Sequence, residues 1–252
     1  MDLHRNLRTI DPAEEAELLA AIDRWVERSL TPEVVREHDH ADTYPHRIVE
    51  EMKALGLFGA TVSTEYGGLG LPASTYAKIV MRISSVWMAV TGIFNSHLML
   101  ALAIEKFGTP QQKALWLPKL ASGEVRGGLA LTEPDAGTDL QGIRMIARRD
   151  GDHYLINGTK TWITNSVEGS CFALLVKTDP QSQPRHAGMS LFIAPKGEGF
   201  FSSRKLPKLG YKSIDSGELV ADGFRLSAEH LIGGVEGQGF YQATGGLELG
   251  RI

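Results

Sequence analysis

The chain has 252 residues, 42 % of them hydrophobic and 22 % charged, with a formal net charge of −4. This describes a globular protein with ample material for one large domain or two ordinary ones, and with no basic stripe that would mark a nucleic-acid surface. The single cysteine, Cys171, excludes an intrachain disulfide and any zinc cluster built on several cysteines. It sits in the apolar run Cys171-Phe-Ala-Leu-Leu-Val176 and reads as a buried structural thiol. Met1-Asp-Leu-His-Arg5 is not a hydrophobic signal segment, so a cytoplasmic protein is expected.

Residues 12 to about 125 read as helical. Pro12 suits the first position of a helix behind Asp11, and Glu14 and Glu15 favour its N-terminus. Leu18, Leu19, Ile22, Trp25 and Val26 then recur at helical spacing. A second helix starts after Thr31-Pro32, and a third runs from Pro45 to Leu55 and stops at Gly56. Thr64-Glu-Tyr-Gly-Gly-Leu-Gly-Leu-Pro72 is too rich in glycine for a helix and is expected to be a loop.

Ser74 to Phe107 is the most apolar span. Asn95, Ser96 and His97 interrupt it, so no uninterrupted segment reaches the roughly 20 residues that a bilayer demands. Two buried helices broken near Gly92 to His97 are expected, a core and not a membrane anchor. His97 reads as a hydrogen-bonded core histidine. A further helix, with Thr109 as N-cap and Pro110 behind it, should end at Ser122-Gly123.

From Gly127 to about Ile232 the pattern changes to short alternating runs: Ile143 to Arg149, Tyr154 to Ile156, Phe172 to Val176, Ser190 to Ala194, Phe200 to Leu206 and Glu218 to Val220. Asp150-Gly151 and Asn157-Gly158 read as turns, so the whole resembles an antiparallel meander closing into a small barrel or sandwich. Phe240 to Ile252 looks helical again.

Two polar knots stand out in this half: Leu129-Ala-Leu-Thr-Glu-Pro-Asp-Ala-Gly-Thr-Asp139 and Asn157-Gly-Thr-Lys-Thr-Trp-Ile-Thr-Asn165. Pro134 fixes φ, Gly137 permits positive φ, and Thr132, Thr138 and Asp139 can bond locally. A tight loop with outward N–H groups and hydroxyls suits a planar polar heterocycle or a phosphate. Strand alternation puts Trp162 and Thr164 on one face and Ile163 on the other. A flat ring beside a hydroxyl donor is what a flavin edge needs, although a strand tryptophan also commonly fills a core.

The two knots together resemble the paired flavin signature of the acyl-CoA dehydrogenase family. The similarity extends to Glu65-Tyr-Gly-Gly-Leu-Gly70, Phe107-Gly-Thr-Pro-Gln-Gln-Lys113, Trp116-Leu-Pro-Lys-Leu-Ala-Ser-Gly123 and Gly237-Gln-Gly-Phe240. The resemblance implies a helical N-terminal domain over residues 1–126, a small antiparallel β-barrel domain over 127–236, and the first turns of a C-terminal helical domain over 237–252. It implies FAD as cofactor and an acyl-CoA substrate desaturated between its α and β carbons. An electron-transferring flavoprotein is the implied acceptor and a homodimer or homotetramer the implied full-length assembly, with no nucleic acid or membrane partner.

By the same resemblance Leu129 and Leu131 present backbone groups to the flavin pyrimidine edge. Thr132, Gly137, Trp162, Ile163 and Thr164 border the flavin, with the indole against the ring. Thr138 reaches both the flavin pyrophosphate and the acyl-CoA. Glu248 and Arg251 match the region near bound acyl-CoA, Arg251 reading equally as a surface charge. In a minority of the family the catalytic base stands in a Gly-Leu-x-Leu-Glu-Arg pattern. The matching stretch here is Gly246-Leu-Glu-Leu-Gly-Arg251, which puts Gly250 at the base position. The base is therefore expected beyond Ile252, in a domain this truncated sequence lacks. A same-fold oxidase or flavin monooxygenase, and a non-catalytic fragment or binding scaffold, remain as alternatives.

Overall fold

In the computed structural model, which describes residues 9–247 and Gly250, a helical domain is followed by a curled mixed sheet and a short helix. Helix α1 (Pro12–Ser29) begins where Asp11 accepts hydrogen bonds from the N–H groups of Ala13 and Glu14. Thr31 caps α2 (Pro32–Ala41), and α3 (His46–Ala54) is followed by Gly56 at φ 71°. Thr109 and Gln112 form a reciprocal capping box at the start of α5 (Pro110–Ala121). The glycine-rich span before Pro72 is a loop carrying one 3-10 turn at Thr64–Tyr66.

The apolar span, α4 (Ala73–Phe107), is two helical segments joined across a kink, as expected, but the break does not fall near Gly92 to His97. Its irregularity lies earlier, at Trp87, where φ is −150° and ψ 93°. The polar stretch stays helical because tertiary partners satisfy it. Asn95 accepts from the Tyr76 hydroxyl at 2.9 Å, and the Tyr211 side chain fills the notch left by Gly92. By length and composition α4 could cross a membrane, but 78 % of its most apolar window is buried inside the protein, so its apolar surface is used in the core.

His97 is fully buried in that core, with Nε2 3.0 Å from the Leu120 carbonyl. Burial holds its pKa down at about 4 against an ordinary 6.5, so the folded state keeps the ring neutral while the unfolded state protonates below 6.5. The contribution is therefore fully present above pH 6.5 and is lost as pH falls toward 4. The loss amounts to about 2 kcal/mol at about pH 5. His97→Gln, which can still donate to Leu120, should lose this slope. Urea midpoints at about pH 7 and about pH 5 check it, and equal slopes for the two proteins would count against it.

The sheet comprises β1 (Gly127–Ala130), β2 (Ile146–Asp150), β3 (His153–Thr164), β4 (Cys171–Lys177), β5 (Met189–Pro195), β6 (Phe200–Lys205) and β7 (Ser216–Ser227). Its order is β1-β4-β2-β3-β7-β6, with β5 added on β4. The pairings β2–β3, β3–β7, β7–β6 and β4–β5 are antiparallel as expected. The pairings of β4 with β1 and β2 are parallel, so the sheet is mixed and not wholly antiparallel. The chain reaches β4 only after a long excursion through β2 and β3, and such a crossover can bring two strands side by side in the same direction.

Asp150-Gly151 forms the β2–β3 turn, with Gly151 at φ 62°. Asn157-Gly158 does not turn the chain. It lies inside β3 at a register shift against β7, where Asn157 Oδ1 accepts from the Gly223 N–H at 2.8 Å. Strand β4 is buried on both faces, which explains its unbroken apolar run. Ala173 and Leu175 join the core shared with the helices, whereas Phe172, Leu174 and Val176 join a second core with Phe192, Phe200 and Leu219. Cys171 is buried with them, and burial pushes its thiol up to about 12. Helix α6 (Gly239–Leu247) packs beside α4 and β5.

Candidate functional site

The two polar knots meet. Strand β1 ends at Ala130, and the loop from Leu131 to Asp139 closes on itself through paired backbone hydrogen bonds between Glu133 and Ala136. It is tied to β3 by Thr161 N–H, which donates to the Thr132 carbonyl at 2.9 Å. A stronger tie lies beneath. The Lys160 ammonium, with none of its side chain exposed, donates to Glu133 Oε1 at 2.8 Å and to the Leu131 carbonyl at 2.9 Å. Glu133 also accepts from the backbone N–H of Arg144 at 2.6 Å and of Met145 at 3.0 Å. Its carboxylate is thus held by three donors. Burial lowers the pKa of Lys160 toward 8, and Glu133 opposes the fall.

Burying Lys160 disturbs the strand. Tyr154, Ile156 and Lys160 point inward, so plain alternation would send Trp162 inward too. One extra residue between Lys160 and Ile163, opposite Leu219 and Gly217, makes a bulge. Trp162 adopts φ 57° there, a left-handed conformation that costs a side-chain-bearing residue on the order of 1–2 kcal/mol. The bulge resets the alternation. Ile163 is buried, while Trp162 is 56 % exposed and Thr164 is half-buried on the same face, as the sequence predicts for that trio.

Two hollows flank the Thr132–Gly137 turn. One, of about 450 Å³, is lined by Thr132, Glu133, Pro134, Gly137 and Trp162, together with Arg204 and Glu218. The other, of about 380 Å³, is lined by Leu131, Thr132, Gly137, Thr138, Phe240 and Thr244. Thr132 and Gly137 border both. Leu129 and Ile163 are core residues that line neither hollow, and Thr164 lies one residue further along β3. Thr164 sits against α4, because Asn165 Nδ2 donates both to the Ile93 carbonyl at 2.9 Å and to the Gly127 carbonyl at 2.8 Å. Gly250 stands over α4, where an added Cβ would lie 2.4 Å from Met99 Sδ. Glu248 and Arg251 lie outside the described residues.

The sequence reading gave no role to Lys160 and Glu133, nor to Arg204 and Glu218, whose bidentate ion pair (both contacts 2.8 Å) edges the larger hollow. A lysine two residues before an outward tryptophan reads as solvent-facing, and no local signal marks the bulge that turns it inward. Phe240 was legible as part of the Gly237-Gln-Gly-Phe240 resemblance and of a helix, and Thr244 only as part of that helix.

An indole left in the open on a strained residue, beside a hollow large enough for a ring system and bordered by a threonine-rich turn, fits a flavin. The comparisons with known proteins agree. The family models for the N-terminal and middle domains of acyl-CoA dehydrogenase match residues 12–124 and 128–224, and the chain belongs to that family. It is 35 % identical over 249 residues to (2S)-methylsuccinyl-CoA dehydrogenase of Cereibacter sphaeroides, an alignment covering 95 % of this chain and 45 % of that protein. Butyryl-CoA dehydrogenase from Megasphaera elsdenii superposes with a TM-score of 0.89 at 31 % identity, covering 98 % of this chain and 64 % of that one. A glutaryl-CoA dehydrogenase from Mycobacterium smegmatis in complex with FADH2 does so with a TM-score of 0.85 at 30 % identity, covering 96 % and 60 %. The chain spans about half the length of the curated relatives it matches.

Proposed function

We propose that this chain carries the flavin and thioester sites of an FAD-dependent acyl-CoA dehydrogenase. The observation that carries the reading is the pair of hollows on either side of one turn, with an exposed indole at the edge of the larger. FAD would lie on the Trp162 side, where it supplies the acceptor for the β-hydrogen leaving as hydride. Thr132 and Thr164 would offer hydroxyls to its edge, and the thioester would enter from the side of Thr138, Phe240 and Thr244. The indole would cover one face of the bound ring and keep water from it.

Removal of the α-proton needs a carboxylate, and Gly250 has no side chain to supply one. On this reading the base, the electron-transferring flavoprotein that accepts electrons, the homodimeric or homotetrameric assembly and the cytoplasmic setting all belong to the working enzyme. A glycine at position 250 also suits a second reading, a chain that binds flavin and thioester without chemistry.

One experiment separates these. Under nitrogen, short acyl-CoA thioesters should bleach the flavin absorbance of the loaded working enzyme, its base included. Trp162→Ala should weaken flavin binding by at least about tenfold, the worth of one lost aromatic stack. Flavin that binds but never bleaches would leave the non-catalytic reading, and rapid reoxidation by admitted air would point to an oxidase. Failure to bind flavin at all would overturn the proposal.

A further inference from the structure

We propose that the buried Lys160 ammonium is a positioning and electrostatic element of the flavin site, acting through the Leu131–Thr132 peptide to favour reduced over oxidised flavin. The inference rests on the flavin reading above, and Lys160 itself touches neither hollow. Its ammonium donates to the Leu131 carbonyl at 2.9 Å. That carbonyl is conjugated with the Thr132 N–H, and a cation bonded to an amide oxygen draws electron density from the nitrogen and strengthens the N–H as a donor. Thr132 borders both hollows. A ring that gains electrons against this turn meets a polarised peptide and a cation that no solvent screens.

The counter-charge does not cancel the effect on that peptide. Glu133 also lines the larger hollow, but its carboxylate is engaged by Lys160 and by the Arg144 and Met145 N–H groups, whereas the Leu131 carbonyl is bonded by the ammonium alone of the two charges. The other charges at the larger hollow, Arg204 on β6 and Glu218 on β7, neutralise one another in their own ion pair. Arg144 and Asp135 form an exposed pair with one another.

The test is the midpoint potential of the flavin-loaded protein against that of Lys160→Met/Glu133→Gln, which removes both buried charges together. The double variant should bind reduced flavin about tenfold less tightly relative to oxidised flavin, a fall of about 30 mV for a two-electron couple. The gap should be full at about pH 6.5 and should shrink by about pH 9, because burial brings the loss of the Lys160 proton down near 8. A purely structural role would weaken both redox forms alike and leave the potential unmoved. If the double variant does not retain flavin, Lys160→Gln/Glu133→Gln keeps a neutral donor against Leu131 and reads the charge alone. Equal potentials across this pH range, with flavin bound, would overturn the inference and leave the proposed function standing. A wild-type chain that binds no flavin would overturn both.

Discussion

Lys160→Met is expected to lower stability by about 3–5 kcal/mol, because it leaves the Glu133 carboxylate buried without a counter-charge and the Leu131 carbonyl without its donor. For a chain of this length that corresponds to a fall in melting temperature of at least about 6 °C. Adding Glu133→Gln should recover a substantial part of the loss. The amide carries no charge, and its oxygen still accepts from one of the two backbone N–H groups that Glu133 now serves. The coupling between the two positions in a double-mutant cycle is the measured quantity. Additive losses would show that the pair does not act as a unit, and the account of how the loop is anchored to β3 would fail with it.

Gly127→Ala should cost about 3 kcal/mol or more, with a melting temperature lower by about 6–12 °C. A Cβ at that position would stand 1.5 Å from the Cys171 carbonyl oxygen, a backbone atom that cannot rotate away. Gly127 is paired with Cys171 in the parallel β1–β4 ladder, and its own carbonyl accepts from Asn165. Separating β1 from β4 would therefore also disturb the bond that holds the end of β3 to α4. Flavin binding should weaken along with stability, since β1 leads directly into the Thr132 turn. Gly197→Ala, where nothing lies within 4 Å, serves as the control and should be near neutral. A Gly127→Ala protein that melts with the control would show that β1 does not need this close approach.

The local signals in the sequence were sufficient for most of the helical domain. Asp11-Pro12, Thr31-Pro32 and Thr109-Pro110 each start a helix for a reason contained in a few consecutive residues: a side-chain acceptor for free N–H groups, followed by a proline with none to give. The same holds for Asp150-Gly151 as a turn and for Phe172 to Val176 as a strand. The family was also legible, because its two flavin motifs are contiguous stretches of chain.

What only the tertiary structure decided was pairing and burial. Asn157-Gly158 has the composition of a hairpin turn, yet β7 pairs along the whole of β3 and absorbs it as an irregularity. Gly92 to His97 has the polarity of a break, yet Tyr76, Tyr211 and Leu120 supply partners that keep it helical, and the kink in α4 falls at Trp87 instead. Lys160 has the charge of a surface residue, yet Glu133 and the Leu131 carbonyl, 27 and 29 positions away in sequence, draw it into the interior. The bulge that accommodates it sets the direction in which Trp162 faces. A short window of sequence shows which groups need partners. Whether those partners exist, and on which side of a strand, is decided by residues far along the chain that only folding brings near.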